Sequence, residues 1–217
     1  MKRNAPTILV LLLLVATATA FVVTQHLKLE PSPISQTHVD KVFSPVCECE
    51  TSAAHIDFSI RRADHLRIWV RTPAGPVTIA DREYPKGSVH VRWNGRNPDG
   101  AVVPDGIYYA VVHMRRSQRT IDLPNPIRVD TMRPTITATH LRSNGRKLKI
   151  TYTLSEPGHG ILIVNRHRAV FTYGTRRHGR LTWYGRIKGR VVKPKRHQLL
   201  LVAQDLAGNR SAPVQLP

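Results

Sequence analysis

From residue 55 onward the chain repeatedly places apolar residues at every second position, and it turns before any segment could become a long helix. Ile56, Phe58 and Ile60 fall on one face of "HIDFSIRR", Leu66, Ile68 and Val70 on one face of "HLRIWVRT", and Val89, Val91 and Trp93 on one face of "SVHVRW". A period of two belongs to a strand with one buried side. Between these runs stand "TPAG", "YPKG", "NPDG" and "VPDG", whose Pro, Asp and Gly residues favour tight reversals. The 16 Pro residues of the 217-residue chain argue in the same direction, because a helix interior does not tolerate them. These features predict an all-β protein built as an antiparallel sandwich.

The pattern occurs twice. "WNGRNPDGAVVP" at Trp93 is echoed by "WYGRIKGRVVKP" at Trp183, an offset of 90; "IDFSIRRADHLRIWV" from Ile56 is echoed by "ITYTLSEPGHGILIV" from Ile150, an offset of 94. Two blocks repeating at nearly one interval predict tandem domains, placed here at residues 42–130 and 134–217. Pro134 in "VDTMRP" marks the boundary. The "SEPGHG" run, Ser155 to Gly160, reads as a turn after a strand.

The N-terminus has a different character. Residues 1–4 form a basic tail with Lys2 and Arg3, and no charge follows from Ala5 to Val23. About 20 apolar residues match the thickness of a bilayer, so residues 5–24 are expected to be a transmembrane signal anchor. On that expectation the protein is a single-pass membrane protein with a cytoplasmic N-terminus and an extracytoplasmic bulk. The alternative is secretion after cleavage near Ala20, where Ala18-Thr19-Ala20 would serve a signal peptidase. Residues 25–41, with Pro31 and Pro33, read as an extended stalk.

On these residues the chain resembles a known family. "VFSP" followed by a strand and by "HVRWNGRNPDGAVVPDGIYYAVV" is similar to the immunoglobulin-like repeat of the flagellar hook-capping protein, and "VAQDLAGNRSAP" is similar to the ending of many bacterial immunoglobulin-like domains. The resemblance implies two tandem immunoglobulin-like, fibronectin III-like sandwiches. It also implies structural roles for Trp93, Gly95, Gly100, Asp105, Gly106, Tyr108 and Trp183, and a spacer, display or assembly function. Where family members commonly carry an Asn-Gly-Asp type segment, this chain has "SPVCECE". Asp205 and Asn209, beside Gly208, are the residue types that brace a turn through side-chain hydrogen bonds.

Cys47 and Cys49 are the only cysteines. Outside the cytoplasm they are disulfide candidates, either with each other or across two subunits, which would give self-association; free thiols and half of a metal site are the remaining readings. No cofactor motif, metal set or catalytic constellation is visible, so the chain reads as a non-enzyme.

Charge carries the functional expectation. The net charge is +19, with 24 Arg and 9 Lys. Residues 134–217 hold 16 Lys and Arg against two acids, Glu156 and Asp205, whereas residues 40–133 hold 14 against 11. A compositional bias would load both halves alike. The asymmetry predicts a distal domain that binds polyanions such as anionic cell-wall polymer or lipid headgroups through Arg176, Arg177, Arg180, Arg186, Lys188, Arg190, Lys193, Lys195 and Arg196. No base-reading module is present, which argues against sequence-specific nucleic-acid recognition. A structural subunit of a surface assembly or secretion apparatus is the alternative reading.

Overall fold

The charge-free N-terminal run forms a helix, α1 (Ala5–Leu29). The computed structural model describes residues 5–29, 32–194 and 198–217. The large apolar side chains described on α1 stand between 55% exposed, at Val10, and 65% exposed, at Val22. Among the described residues, no helix is long and apolar enough to cross a membrane.

The first domain follows as β1 (Ile34–Val39), β2 (Val42–Phe43), β3 (Ala54–Ile60), β4 (Asp64–Thr72), β5 (Gly75–Tyr84), β6 (Gly87–Trp93), β7 (Gly106–Met114), β8 (Arg119–Asp122) and β9 (Ile127–Val129). One sheet runs β1-β3-β6 and the other β2-β9-β7-β4-β5, with β8 also paired to β7. The alternating residues expected inside are inside: Ile56, Phe58, Ile60, Leu66, Ile68, Val70, Val89, Val91 and Trp93 are all buried in one core. Trp93 packs edge-on against Phe43 and Tyr108 at centroid distances of 5.5 and 5.2 Å. The Tyr108 hydroxyl donates to the Pro104 carbonyl at 2.5 Å, and the Asp105 carboxylate accepts from the Thr131 amide and hydroxyl, both at 2.9 Å. These bonds fix the "VPDG" reversal ahead of β7. Gly95 and Gly100 take the positive φ values that the preceding "NGRNPDG" turn requires, and Gly106 opens β7.

Residues 25–41 differ from the expected stalk. The helix extends through them to Leu29, and β1 pairs with β3 and adds Ile34 and Val39 to the core. Strict alternation cannot bury both of two residues five apart. A bulge between Ser35 and His38, with Gln36 at φ 53°, shifts the register and returns both to the same side.

The second domain comprises β10 (Ile136–Asn144), β11 (Lys147–Val164), β12 (His167–Phe171), β13 (Arg176–Trp183), β14 (Arg186–Ile187), β15 (Arg190–Val191), β16 (Leu199–Asp205) and β17 (Val214–Gln215). Its core shares no residue with the first. "SEPGHG" is not a turn between strands: it lies within β11, whose 18 residues pair with β10 through Leu154, with β13 through Thr153 and again at Gly158, with β16 from Gly158 and with β12 from Ile161. Pro157 and Gly158 lie where β11 changes partners, and all of these strands belong to one six-stranded sheet.

The internal repeat is visible in the pairing. Ala54 lies opposite Trp93 in the first domain and Leu148 opposite Trp183 in the second, reproducing both sequence offsets. Phe58 opposite Val89 becomes Tyr152 opposite Gly179. A Cβ on Gly179 would overlap the Tyr152 ring, and one on Gly160 would lie 2.5 Å from it. The larger ring of the second repeat is therefore accommodated by two missing side chains, and its hydroxyl accepts the Gly160 amide at 3.0 Å.

The domains touch at a small joint. Cys47 and Cys49 are joined to each other with an S–S distance of 2.03 Å, which leaves no free thiol among the described residues for a bridge between subunits. The loop they close rests on the second domain: Thr51 donates to the Ala207 carbonyl at 2.7 Å, and a Cβ on Gly208 would meet Cys49 Sγ and Thr51 Oγ1. Asn209 braces its own turn through two 2.8 Å bonds to Asp205, and its side-chain amide also donates to the Asp130 carbonyl at 2.8 Å. Asp205 and Asn209 thus hold a turn, as the sequence suggests, and fasten it to the other domain.

Candidate polyanion-binding surface

In the first domain part of the cationic charge is answered: Arg71, Arg115, Arg116 and Arg128 pair with acids, as do four histidines. Nine ion pairs occur among the described residues, and all lie between His38 and Asp130. Arg71 grips Asp122 through two nitrogens at 2.7 and 3.1 Å. His65 and Arg115 both reach Asp81, at 2.6 and 3.1 Å. The His65 hydrogen bond, reinforced by Arg115, holds the Asp81 carboxyl below its ordinary range. No described residue of the second domain joins an ion pair.

The repeat shows how that difference arises. On the outer face of β3 and β6, Asp57 stands opposite His90 and meets its ring at 2.7 Å. The equivalent cross-strand pair on β11 and β13 is Thr151 opposite Arg180. The cationic partner is kept and strengthened while the carboxylate becomes a hydroxyl. Pairing places His140 beside Thr151 and Arg142 beside Lys149, so the outer face of β10, β11 and β13 carries His140, Arg142, Lys149, His178 and Arg180 without one acid. Arg176 and Arg180, with His140 and His178, line an open groove of about 670 Å³ on this face.

A second cationic surface forms where hairpins meet. The β11–β12 reversal consists of Asn165 and Arg166, both at positive φ, the geometry of a two-residue type I′ turn. It brings Arg166, His167 and Arg168 to an open cleft whose other side is Arg186, Lys188 and Arg190 from the β14–β15 hairpin. Arg168 lies 5.2 Å over the Phe171 ring, and Lys147 lies 5.1 Å over Tyr184. Tyr173 and Tyr184 are 87% and 65% exposed, whereas Trp183 is buried and donates its indole N–H to the Arg186 carbonyl at 2.9 Å.

Of the expected contacts, Arg176 and Arg180 come together on the sheet face and Arg186, Lys188 and Arg190 at the cleft. Arg177 and Lys193 are exposed but line neither, and Lys195 and Arg196 lie outside the described residues. The residues that sequence reasoning did not select, Arg166, Arg168, His140 and His178, had only the weak signal of belonging to basic runs. Their convergence is a property of strand register. Geometrically both surfaces are open and acid-free, suited to an extended anion held by many weak contacts and not to enclosure of a small substrate. His159, in the one run that could suggest chemistry, is occupied by the Thr172 carbonyl at 2.9 Å.

No protein-family model matches the chain, and no curated protein matches it. Among solved structures it is similar to the BSP domain of a biofilm-associated protein, with 12% identity and a TM-score of 0.30 over 83% of this chain and 28% of that one. It is also similar to the E. coli chaperone DraB, with 10% identity and a TM-score of 0.32 over 84% and 97% of the two chains. The central fibronectin-III array of RIM-binding protein gives 12% identity and a TM-score of 0.30 over 87% and 64%. Likenesses of this size go no further than the all-β, immunoglobulin-like character already visible in the sheets.

Proposed function

We propose that this protein is a non-enzymatic extracytoplasmic interaction module whose C-terminal domain binds phosphate-rich envelope polyanions, either wall polymer or lipid headgroups. The observation that carries the reading is the division of ion pairs: every pair among the described residues lies in the first domain, while the second presents its cations unanswered on two surfaces. Unpaired Arg side chains keep their full capacity for phosphate, and binding releases the counterions condensed on the polymer. The first domain, a repeat of hook-capping type, then acts as the spacer. Tethering by α1 belongs to the same proposal. It is supported by the charge-free run from Ala5 to Val23 and by the exposure of the large apolar side chains described on α1, although among the described residues no helix is long and apolar enough to cross a membrane. A mature chain beginning at Phe21 would replace the tether with secretion.

The test uses the full chain. Retention on phosphodiester wall polymer and on vesicles with and without anionic lipid is measured across a salt series. Affinity falls about 10-fold or more between about 50 and 200 mM salt if several phosphates are engaged. Replacing Arg176, Arg177 and Arg180 together with Glu weakens binding while the fold, read by circular dichroism, persists. The polymer and vesicle arms separate the two phosphate sources. Negligible, salt-independent retention on both overturns the reading.

A further inference from the structure

The polyanion reading makes no use of the only two acids in the C-terminal domain. Both converge on one place, and it is the joint. Asp130 follows β9, Glu156 sits at the bend of β11 and Asp205 ends β16; one carboxylate oxygen from each lies within 4.8 Å of the others. Asp130 and Asp205 are 7% and 3% exposed. In a domain with 16 Lys and Arg, chance would not bring both acids together and against a third. Arg128 reaches Asp130 at 3.0 Å, but among the described residues no ion pair reaches Glu156 or Asp205. Burial, then the neighbouring carboxylates, pushes the Glu156 carboxyl above its ordinary range; burial also pushes Asp205 up, against the Asn209 bonds that lower it.

A cluster of acids alone does not define a ligand. An independent observation comes from the parallel pairing of β2 and β9, in which Val42 lies beside Arg128 and Phe43 beside Val129. The Asp130 amide donates to the Phe43 carbonyl at 3.1 Å and carries that register one step further. Continued by one residue, that register puts Ser44 opposite Asp130, with the two backbones one strand spacing, about 4.8 Å, apart and the two side chains on the same face. Ser44 is 0% exposed, and its Oγ has no hydrogen-bond partner. A buried hydroxyl without a partner, beside three carboxylates of which Arg128 pairs with only one, is short of a ligand, not of a proton donor.

We propose that Asp130, Glu156, Asp205 and Ser44 form an interdomain site for a hard divalent cation of the calcium class. All the donors are oxygen, which suits calcium and excludes the thiolate and imidazole preferences of softer metals. Two ligands come from each domain, so the site is complete only when the domains are docked, and cation binding and docking are one equilibrium. The proposal goes beyond the polyanion reading and does not depend on it.

The experiment uses the purified full chain in detergent, stripped with a chelator and titrated with calcium chloride by calorimetry. Thermal unfolding and tryptic cleavage after Arg133 are followed in parallel. One equivalent binds with a dissociation constant of about 0.1 to 1 mM, as for extracellular calcium modules. Binding raises the unfolding temperature and slows cleavage between the domains, and magnesium at equal concentration does less. Glu156→Gln, at a residue that holds no turn, abolishes binding with the fold intact, and Ser44→Ala weakens it several-fold. A folded chain that shows neither heat nor an unfolding shift at about 10 mM calcium overturns the proposal, as does unaltered binding by Glu156→Gln.

Discussion

The two domains share equivalent cross-strand pairings around their Trp residues and differ in what they place on them. The first has a larger core, with Phe43, Trp93 and Tyr108 packed edge-on inside it, and sets acids among its surface cations, several of them in ion pairs. The second has a smaller core and almost no acids. Exposed ion pairs contribute little to stability, about 0 to 1 kcal/mol each. Losing them therefore costs the second domain little as a fold while it transforms its surface. The outer faces of these sheets are free to change sign because the strand geometry is set from the inner faces.

The inner faces do not have that freedom. The strongest way to break the comparison is to give the second repeat the side-chain bulk of the first at Gly179. Even Gly179→Ala should destabilise the second domain by about 1 to 3 kcal/mol through overpacking against Tyr152, read as a shift in its thermal unfolding. A neutral effect would mean that Tyr152 is not held by the space that Gly179 leaves. A smaller effect is expected on the outer face. Thr151→Asp restores beside Arg180 the carboxylate that Asp57 supplies beside His90 in the first domain. It should lower polyanion affinity about 2- to 3-fold at low salt, with stability nearly unchanged, because one neutralised Arg removes about one phosphate contact. Unchanged affinity would remove Arg180 from the contact surface.

The smallest effect is a pH dependence confined to the first domain. Asp81 is held below its ordinary range by His65, so its contribution to stability is present at neutral pH and is lost as the pH falls through the lowered value. Carbonyl NMR should find its titration midpoint below that of an ordinary carboxylate, and His65→Ala should move it upward. A midpoint that ignores the substitution would show that the pair is not made in solution.

How much of this could be read from the sequence depended on whether a residue's fate was local. β3, β4 and β6 were legible because each obeys a period of two, and the tandem repeat was legible because Trp93 and Trp183 anchor equivalent pairings. β1 was not, since its bulge breaks the period and Pro31 and Pro33 suggest a linker. β11 differs from the turn expected at "SEPGHG" because Pro and Gly that shift the register inside a strand look the same in sequence as Pro and Gly that end it. The same division runs through the site. An excess of Arg in the C-terminal half is a matter of counting, but the meeting of Arg166 with Arg190 depends on how two hairpins are folded together. The meeting of Asp130, Glu156 and Asp205 depends on two domains at once.

β11 also gives the second domain a mechanical property that its partner lacks. In the first domain the corresponding stretch is two strands, β3 and β4, which lie in different sheets and are joined through Arg61, Arg62 and Ala63. There the link is a loop and not a continuous paired strand. In the second domain a single strand pairs with β10 and β13 mainly along its first half and with β12 and β16 along its second, so pulling these two groups apart stretches the polypeptide itself. A load applied to β10 and β13 is passed to β12 and β16 as tension along one covalent strand, a path the first domain does not have.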